Sequence, residues 1–306
     1  MDIEFLLWLQ DFRESSGDLF TPFMKFVSEL EMYFILAPLF VYWTMSKRKG
    51  FFVILAFCIS CFMNGVLKLM FCIYRPFVLD ERIMPLGGYR PESYSFPSGH
   101  AMSVTPVLAG MAVISRKTAS WLSWICVLLL LSNLLSRNYA GVHTPQDVIV
   151  GMLLGILSLW IASVIVYNPE RETLSYAIIL VICAVGLYYI STKSYPEVYE
   201  DGKFIVEAGS SVRFTFFEAG LLVGLIFGRI LEQRYINFSP GLTVKSAATA
   251  CVGIGIYFAL FFKFKENFVT FLTPFITADG GNFSAGFIIM LYAAALWPFV
   301  IKKFCE

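Results

Sequence analysis

The chain has 306 residues, 58% hydrophobic and only 15% charged, with a formal net charge of +1 and a mean hydropathy of +0.72. Soluble domains carry about 25% charged residues, so the composition excludes a soluble globular protein and points to an all-α polytopic membrane protein. No nucleic acid is expected as a partner.

The start, MDIEFLLWLQDF, opens with acids where a secretory signal carries a basic n-region, so no leader is expected. Residues 3–12 are apolar on one face but too short to span, and read as an interfacial helix. A spanning helix needs about 20 mostly apolar residues. Roughly nine stretches qualify by that length rule: 27–45, 51–71, 100–114, 119–136, 146–167, 174–191, 213–231, 243–262 and 282–301. The third is short and can begin in the polar stretch before it. Glu29 and Glu31 enter the first span from outside. Cys58 and Cys61 form a C-x-x-C inside the second, without a histidine nearby, and read as packing. Arg213 and Glu218 open the seventh and read as a structural ion pair. Lys193, Lys203 and the acids of YPEVYEDGKF read as an outer loop partly covering the site. Residues 266–276 read as a second interfacial helix.

Lys47, Arg48, Lys49, Arg116, Lys117, Lys302 and Lys303 gather on one side of this arrangement. Basic residues mark the cytoplasmic side, which sets the N-terminus outside and the C-terminus inside.

Three stretches interrupt the apolar pattern, and in this topology all reach the outer face: KLMFCIYRP (Lys68–Pro76), SFPSGHA (Ser95–Ala101) and SRNYAGVHTPQD (Ser136–Asp147). They contain both histidines of the chain, His100 and His143. Ionisable residues near membrane depth are costly and mark sites or pathways. Lys68 and Arg75 are separated by two helical turns and can face one pocket. Arg137 adds a third cation from another helix end. Such a set suits a multiply charged anion, and arginine suits phosphate oxygens. Pro97, Ser98 and Gly99 introduce a helix whose free N–H groups could cradle phosphate. Thr144, Pro145 and Asp147 read as N-cap, N1 and N3 of the next helix. That leaves His143 just before the helix, within reach of Asp147, whose carboxylate could fix the imidazole tautomer and free the other ring nitrogen. Arg82, Arg90, Glu92 and Tyr94, between the first two stretches, either contact a headgroup or solvate the loop. Each feature also has an ordinary reading. Asp147 could merely complete a capping box, Lys68 could snorkel, and Ser98–Gly99 could be a plain turn.

Taken together, K-x6-R-P, P-S-G-H and S-R-x5-H-x3-D are similar to the three signature motifs of the type 2 phosphatidic acid phosphatase superfamily, over about residues 50–165. The resemblance implies a core of five to six helices and a lipid phosphatase. His143 would attack phosphorus, Asp147 would orient it, and His100 would protonate the leaving oxygen. Lys68, Arg75, Ser98, Gly99 and Arg137 would hold the phosphate. It implies no metal and no cofactor. Substrates of this family include undecaprenyl pyrophosphate, phosphatidylglycerophosphate, phosphatidate and sphingoid base phosphates, and nothing in the residues selects among them. The expected setting is a bacterial cell membrane with the site on its extracytoplasmic side. Residues 1–168 are expected to be the phosphatase core, and 169–306 additional helices packed on it. A phosphotransferase using the same histidine, or a transporter or scramblase of phosphorylated lipid, is the alternative.

Overall fold

The computed structural model describes residues 2–200 and 203–305 and is almost wholly helical. The chain opens with α1 (Asp2–Glu29), followed by the single turn α2 (Glu31–Phe34) and by α3 (Leu36–Thr44). The stretch 27–45 is therefore not one continuous span, and 3–12 is the first part of a 28-residue helix rather than a separate interfacial one. Pro38 has no N–H to give the carbonyl of Phe34, so the helical ladder lacks that bond while the backbone at Ile35 stays right-handed helical. α1 lies along the C-terminal end of a later helix, where Tyr139 sits. Thr21 Oγ1 is 2.7 Å from the Tyr139 hydroxyl, and Arg13 donates to the carbonyls of Tyr139 (3.2 Å) and Met84 (2.7 Å).

α4 (Lys47–Phe71) starts at a Ser46 cap and runs through the centre of the molecule, its Val53–Ala56 stretch fully buried. A single turn, α5 (Pro76–Leu79), follows it. α6 (Gly99–Ser115), α7 (Ser120–Tyr139) and α8 (Pro145–Val166) complete the first half, with α4, α6 and α8 in mutual contact. Cys58 and Cys61 are free, buried thiols in this core.

α9 (Glu172–Thr192) leads to a hairpin, β1 (Val198–Glu200) antiparallel to β2 (Lys203–Val206). Of the expected outer loop, Asp201 and Gly202 lie outside the described residues. The hairpin is tied to the loop between the first two motifs: the Tyr94 hydroxyl donates to the Pro196 carbonyl (2.6 Å), and Glu207 N–H to the Glu92 carbonyl (3.0 Å).

α10 (Ala208–Leu231) docks on α4 and on α13 (Ala278–Leu291). A methyl group on Gly220 or Gly224 would meet the backbone of Phe283 or Phe287, so the two helices touch main chain to main chain. Arg213 does not pair with Glu218. It bonds Glu207 at 3.1 Å, because Glu218 faces the other way, against Gly65 of α4. α11 (Val244–Ala259) continues through a π turn at Leu260–Phe264 into α12 (Lys265–Leu272), so the expected interfacial helix at 266–276 is the end of a longer one. A second π turn, Tyr292–Leu296, joins α13 to α14 (Trp297–Cys305). Its Ala293 and Ala294 carbonyls accept from Trp43 Nε1 (2.9 Å) and the Tyr42 hydroxyl (3.1 Å), stapling the last helices to α3.

Among the described residues, seven helical segments are long and apolar enough to cross a membrane: Lys47–Leu79, Ser120–Tyr139, Pro145–Val166, Pro169–Thr192, Ala208–Ile236, Val244–Leu272 and Ala278–Cys305. Gly99–Ser115 is a shorter apolar helix. The protein is an all-α, polytopic integral membrane protein.

Candidate active site

The three polar stretches meet at one end of the bundle, and each is positioned by how a helix starts or stops. α4 ends because Cys72 takes a left-handed conformation (φ 51°), after which the backbone is extended at Arg75, as the residue before a proline prefers. Arg75 is thereby turned inward and fixed. Its Nε and Nη2 donate to the carbonyl and hydroxyl of Ser93, each at 2.8 Å, and Nη1 donates to the Val142 carbonyl at 2.9 Å. The same Nη1 lies 3.2 Å from His143 Nε2.

His143 sits in a tight turn between α7 and α8. Gly141 adopts φ +70°, a conformation that side-chain-bearing residues rarely take, and it reverses the chain. Thr144 then caps α8 with Pro145 at its first position. The Asp147 Oδ2 atom accepts the Thr144 N–H at 2.8 Å, closing a capping box. That same oxygen accepts the Ser95 hydroxyl at 2.6 Å and stands 3.4 Å from His143 Nδ1. One carboxylate oxygen therefore both caps the helix and faces the imidazole, so the two readings of Asp147 are not alternatives. Ser95 Oγ is also 3.4 Å from Nδ1, and Asn138 Nδ2 donates to the His143 carbonyl at 2.9 Å.

The third component is the start of α6. Ser98 is buried; its N–H donates to the Asp147 carbonyl (3.0 Å) and its hydroxyl accepts the Ala101 N–H (3.4 Å) as an N-cap. The Ser98 side chain thus holds the helix end in place. Asn64 Nδ2 donates to the Pro97 carbonyl at 3.1 Å, and a methyl on Gly99 would lie 3.7 Å from Lys68 Nζ, so the lysine stands beside the helix start. Arg137 Nη1 donates to Ser28 Oγ at 2.6 Å, while its Nε is buried without a hydrogen-bond partner. An orphaned buried donor of this kind calls for an acceptor.

His100 has a partner that sequence reasoning missed. Its Nε2 lies 2.5 Å from Glu31 Oε2, and the other Glu31 oxygen accepts the Ser103 hydroxyl. The sequence carried a signal, an acid at the mouth of a span, but nothing in it said which helix that acid would face. Ser93 and Ser95 were likewise unassigned, being ordinary loop serines until the fold closes. Of the loop residues, Arg82 pairs with Asp80 (2.8 Å) at the surface and Tyr94 is buried in the hairpin contact, whereas Arg90 and Glu92 border the cavity next to the site.

Three cations, Lys68, Arg75 and Arg137, are all but buried here against the carboxylates of Asp147 and Glu31. Buried charge left uncompensated is costly, and Glu218, which lines the same cavity as Lys68, is a third acid beside the three cations. Burial, followed by Arg75, Lys68, Arg137 and His100, pushes the His143 imidazole well below its ordinary value of 6.5. At neutral pH it is uncharged, with a lone pair available. Among the described residues, no three of His, Cys, Asp and Glu come together in a way that could hold a metal ion.

Residues 49–171 match the family model described as the PAP2 superfamily. The three polar stretches all lie within that matched segment. Two curated relatives align over less than half of this chain. A protein named bacitracin transport permease protein BcrC, from Bacillus licheniformis, is 28% identical over 141 residues, 45% of this chain and 67% of its own length. An undecaprenyl-diphosphatase from Sulfolobus acidocaldarius is 32% identical over 135 residues, 43% of this chain and 64% of its own length. No solved structure matches the chain. Glu31 lies outside the matched segment, as do α9 to α14.

Proposed function

We propose that this protein hydrolyses a lipid phosphate or pyrophosphate on the extracytoplasmic side of a cell membrane, through a phosphohistidine at His143. The observation that carries the proposal is the His143 arrangement: Nδ1 faces Asp147 and Ser95, while Nε2 faces Arg75 among three cations. A proton held on Nδ1 leaves the Nε2 lone pair directed at the place where a phosphate would sit. Nε2 forms a bond to phosphorus as the bond from phosphorus to the leaving oxygen breaks, and His100 delivers its proton to that oxygen. A water molecule then attacks the phosphohistidine, giving up a proton to His100, and inorganic phosphate leaves. Lys68, Arg75 and Arg137 stabilise the charge on the equatorial oxygens in both steps. Residues 1–168 carry this chemistry, and residues 169–306 are packed against them.

The undecaprenyl-diphosphatase relative supports a lipid pyrophosphate as substrate, and the site's position at the end of an apolar bundle supports an amphiphile. A second reading, movement of a phosphorylated lipid without hydrolysis, is favoured only by the relative named as a transport permease. The test is phosphate release by purified protein in EDTA across a panel of lipid phosphates, wild type beside His143→Ala. The proposal expects wild-type turnover and a silent variant. Continued lipid movement in vesicles by His143→Ala, with no phosphate released by either protein, would favour transport.

A further inference from the structure

A cavity of about 770 Å³ opens beside the phosphate site, within the 300–1,000 Å³ typical of ligand pockets. Lys68, Gly99, His100 and Glu31 border its polar end. From there it follows α4 past Gly65 and Cys61 to Phe57, three turns or roughly 16 Å along the helix. Its opposite wall comes from the part of the chain outside the PAP2 segment. α10 supplies Leu221, and α11 with its π turn supplies Phe258, Phe261 and Phe262. The π turn widens the helix at Leu260–Phe264, the stretch that presents Phe261 and Phe262 to the cavity. The Phe258 and Phe262 rings are 4.3 Å apart, and Phe261 rests edge-on against Phe217 at 5.7 Å, so this wall is a built aromatic surface. Polar atoms concentrate at the α4–α10 contact. Ser211 Oγ and Glu218 Oε2 are both buried there without partners.

We propose that α10 and α11 form a binding site for the apolar tail of the phosphorylated lipid whose head occupies the histidine site. The occupant is argued from continuity: Lys68, Gly99 and His100, which line the polar end of the cavity, belong to the proposed phosphate site, so an apolar group at the aromatic end is within reach of a phosphate held there. The inference rests on the phosphatase reading and deepens it. Selection is by tail, made by helices that the PAP2 segment does not contain. An apolar chain leaving the bilayer gains little from burial alone, so the site's selectivity comes from packing against a shaped wall.

The test compares the full-length protein in detergent micelles on phenyl phosphate, farnesyl diphosphate and undecaprenyl diphosphate. Ser211→Trp and Leu221→Trp, two lining positions ten residues apart on α10, fill the cavity. Each is expected to lower kcat/KM for undecaprenyl diphosphate, relative to phenyl phosphate, by about tenfold or more, through the packing contacts that a filled cavity denies the tail. An unchanged ratio in both variants overturns the inference. A photoreactive farnesyl diphosphate analogue on wild type provides a reading free of folding effects. Label is expected in residues 208–231 and 244–264, and label confined to other helices overturns the tail site. If wild type releases phosphate from none of the three, the phosphatase reading itself fails. Turnover without dependence on the fillings defeats only the tail site.

Discussion

Replacing Glu31 with glutamine tests whether the first helices of the chain take part in the chemistry. Glu31→Gln keeps the shape of the side chain but removes the charge that His100 Nε2 meets at 2.5 Å. A hydrogen bond to a charged group contributes about 1.5–3 kcal/mol, and each 1.36 kcal/mol is a factor of ten in rate. The two side chains are 21% and 30% exposed, and solvent weakens the pair, so the loss belongs at the lower end of that range, roughly tenfold in kcat/KM. If Glu31 positions the proton donor, the loss depends on the leaving group. An alkyl phosphate needs its departing oxygen protonated, whereas p-nitrophenolate leaves unaided. The ratio kcat/KM, which reports the step in which the leaving group departs and not the later hydrolysis that also uses His100, is therefore measured on farnesyl phosphate and on p-nitrophenyl phosphate, with thermal unfolding as a control for folding. The expected result is a slowed alkyl substrate and an almost unaffected aryl one. Equal slowing of both would falsify the positioning role and leave Glu31 as a structural contact.

His143 gives a pH prediction. Its folded value lies well below 6.5, so the acid limb of kcat/KM due to this group should fall below pH 6.5, and activity should be flat from there to neutrality. The folded state binds fewer protons than the unfolded chain, so this group's stability contribution is present above pH 6.5 and lost as pH falls below it; thermal unfolding of His143→Gln should show a shallower decline over that window. Ser95→Ala removes one of the donors to Asp147 Oδ2 but leaves the Thr144 N–H at 2.8 Å, and should cost about tenfold in kcat with KM little changed. Asp147→Asn, which also disturbs the tautomer, should cost more, and the reverse order would count against Asp147 as the orienting group. Cys305 ends α14, on the cytoplasmic side in the proposed topology; a membrane-impermeant thiol reagent applied to intact cells should leave it unlabelled, and labelling would invert the orientation.

Much of the site was legible in the sequence because helix termini have strong local signatures. Thr144-Pro145-x-Asp147 encodes a capped helix start from side chains three residues apart, and the structure forms that cap. Histidines and arginines stand out in an apolar chain, since each must be accounted for. What could not be read is pairing between distant segments. Glu31 meets His100, and Ser95 meets Asp147, only because α2 and the loop before α6 are brought to the same end of the bundle. The bond missing at Pro38 was legible in retrospect, but a hydropathy window averages across it. Arg213 and Glu218 show the opposite error. Their separation along one helix suited a local pair, yet Glu218 is claimed by the α4–α10 contact and Arg213 by Glu207.

The site's charge explains why its surroundings are built as they are. Lys68, Arg75 and Arg137 repel one another, and in a membrane protein little water is at hand to screen them. The fold holds them apart on three different helix ends and satisfies Arg75 chiefly with neutral groups, the Ser93 and Val142 carbonyls and the Ser93 hydroxyl. Neutral acceptors fix the guanidinium without cancelling its charge, which remains available to an anion. The carboxylates are used differently: each is placed against a histidine, Asp147 by His143 and Glu31 by His100. In the proposed site the cations are thus left for the phosphate, and Asp147 and Glu31 for the imidazoles. That division of partners, rather than any single contact, makes hydrolysis a better account of the site than binding alone, because a carrier of anionic lipid would need the cations but neither histidine–carboxylate pair.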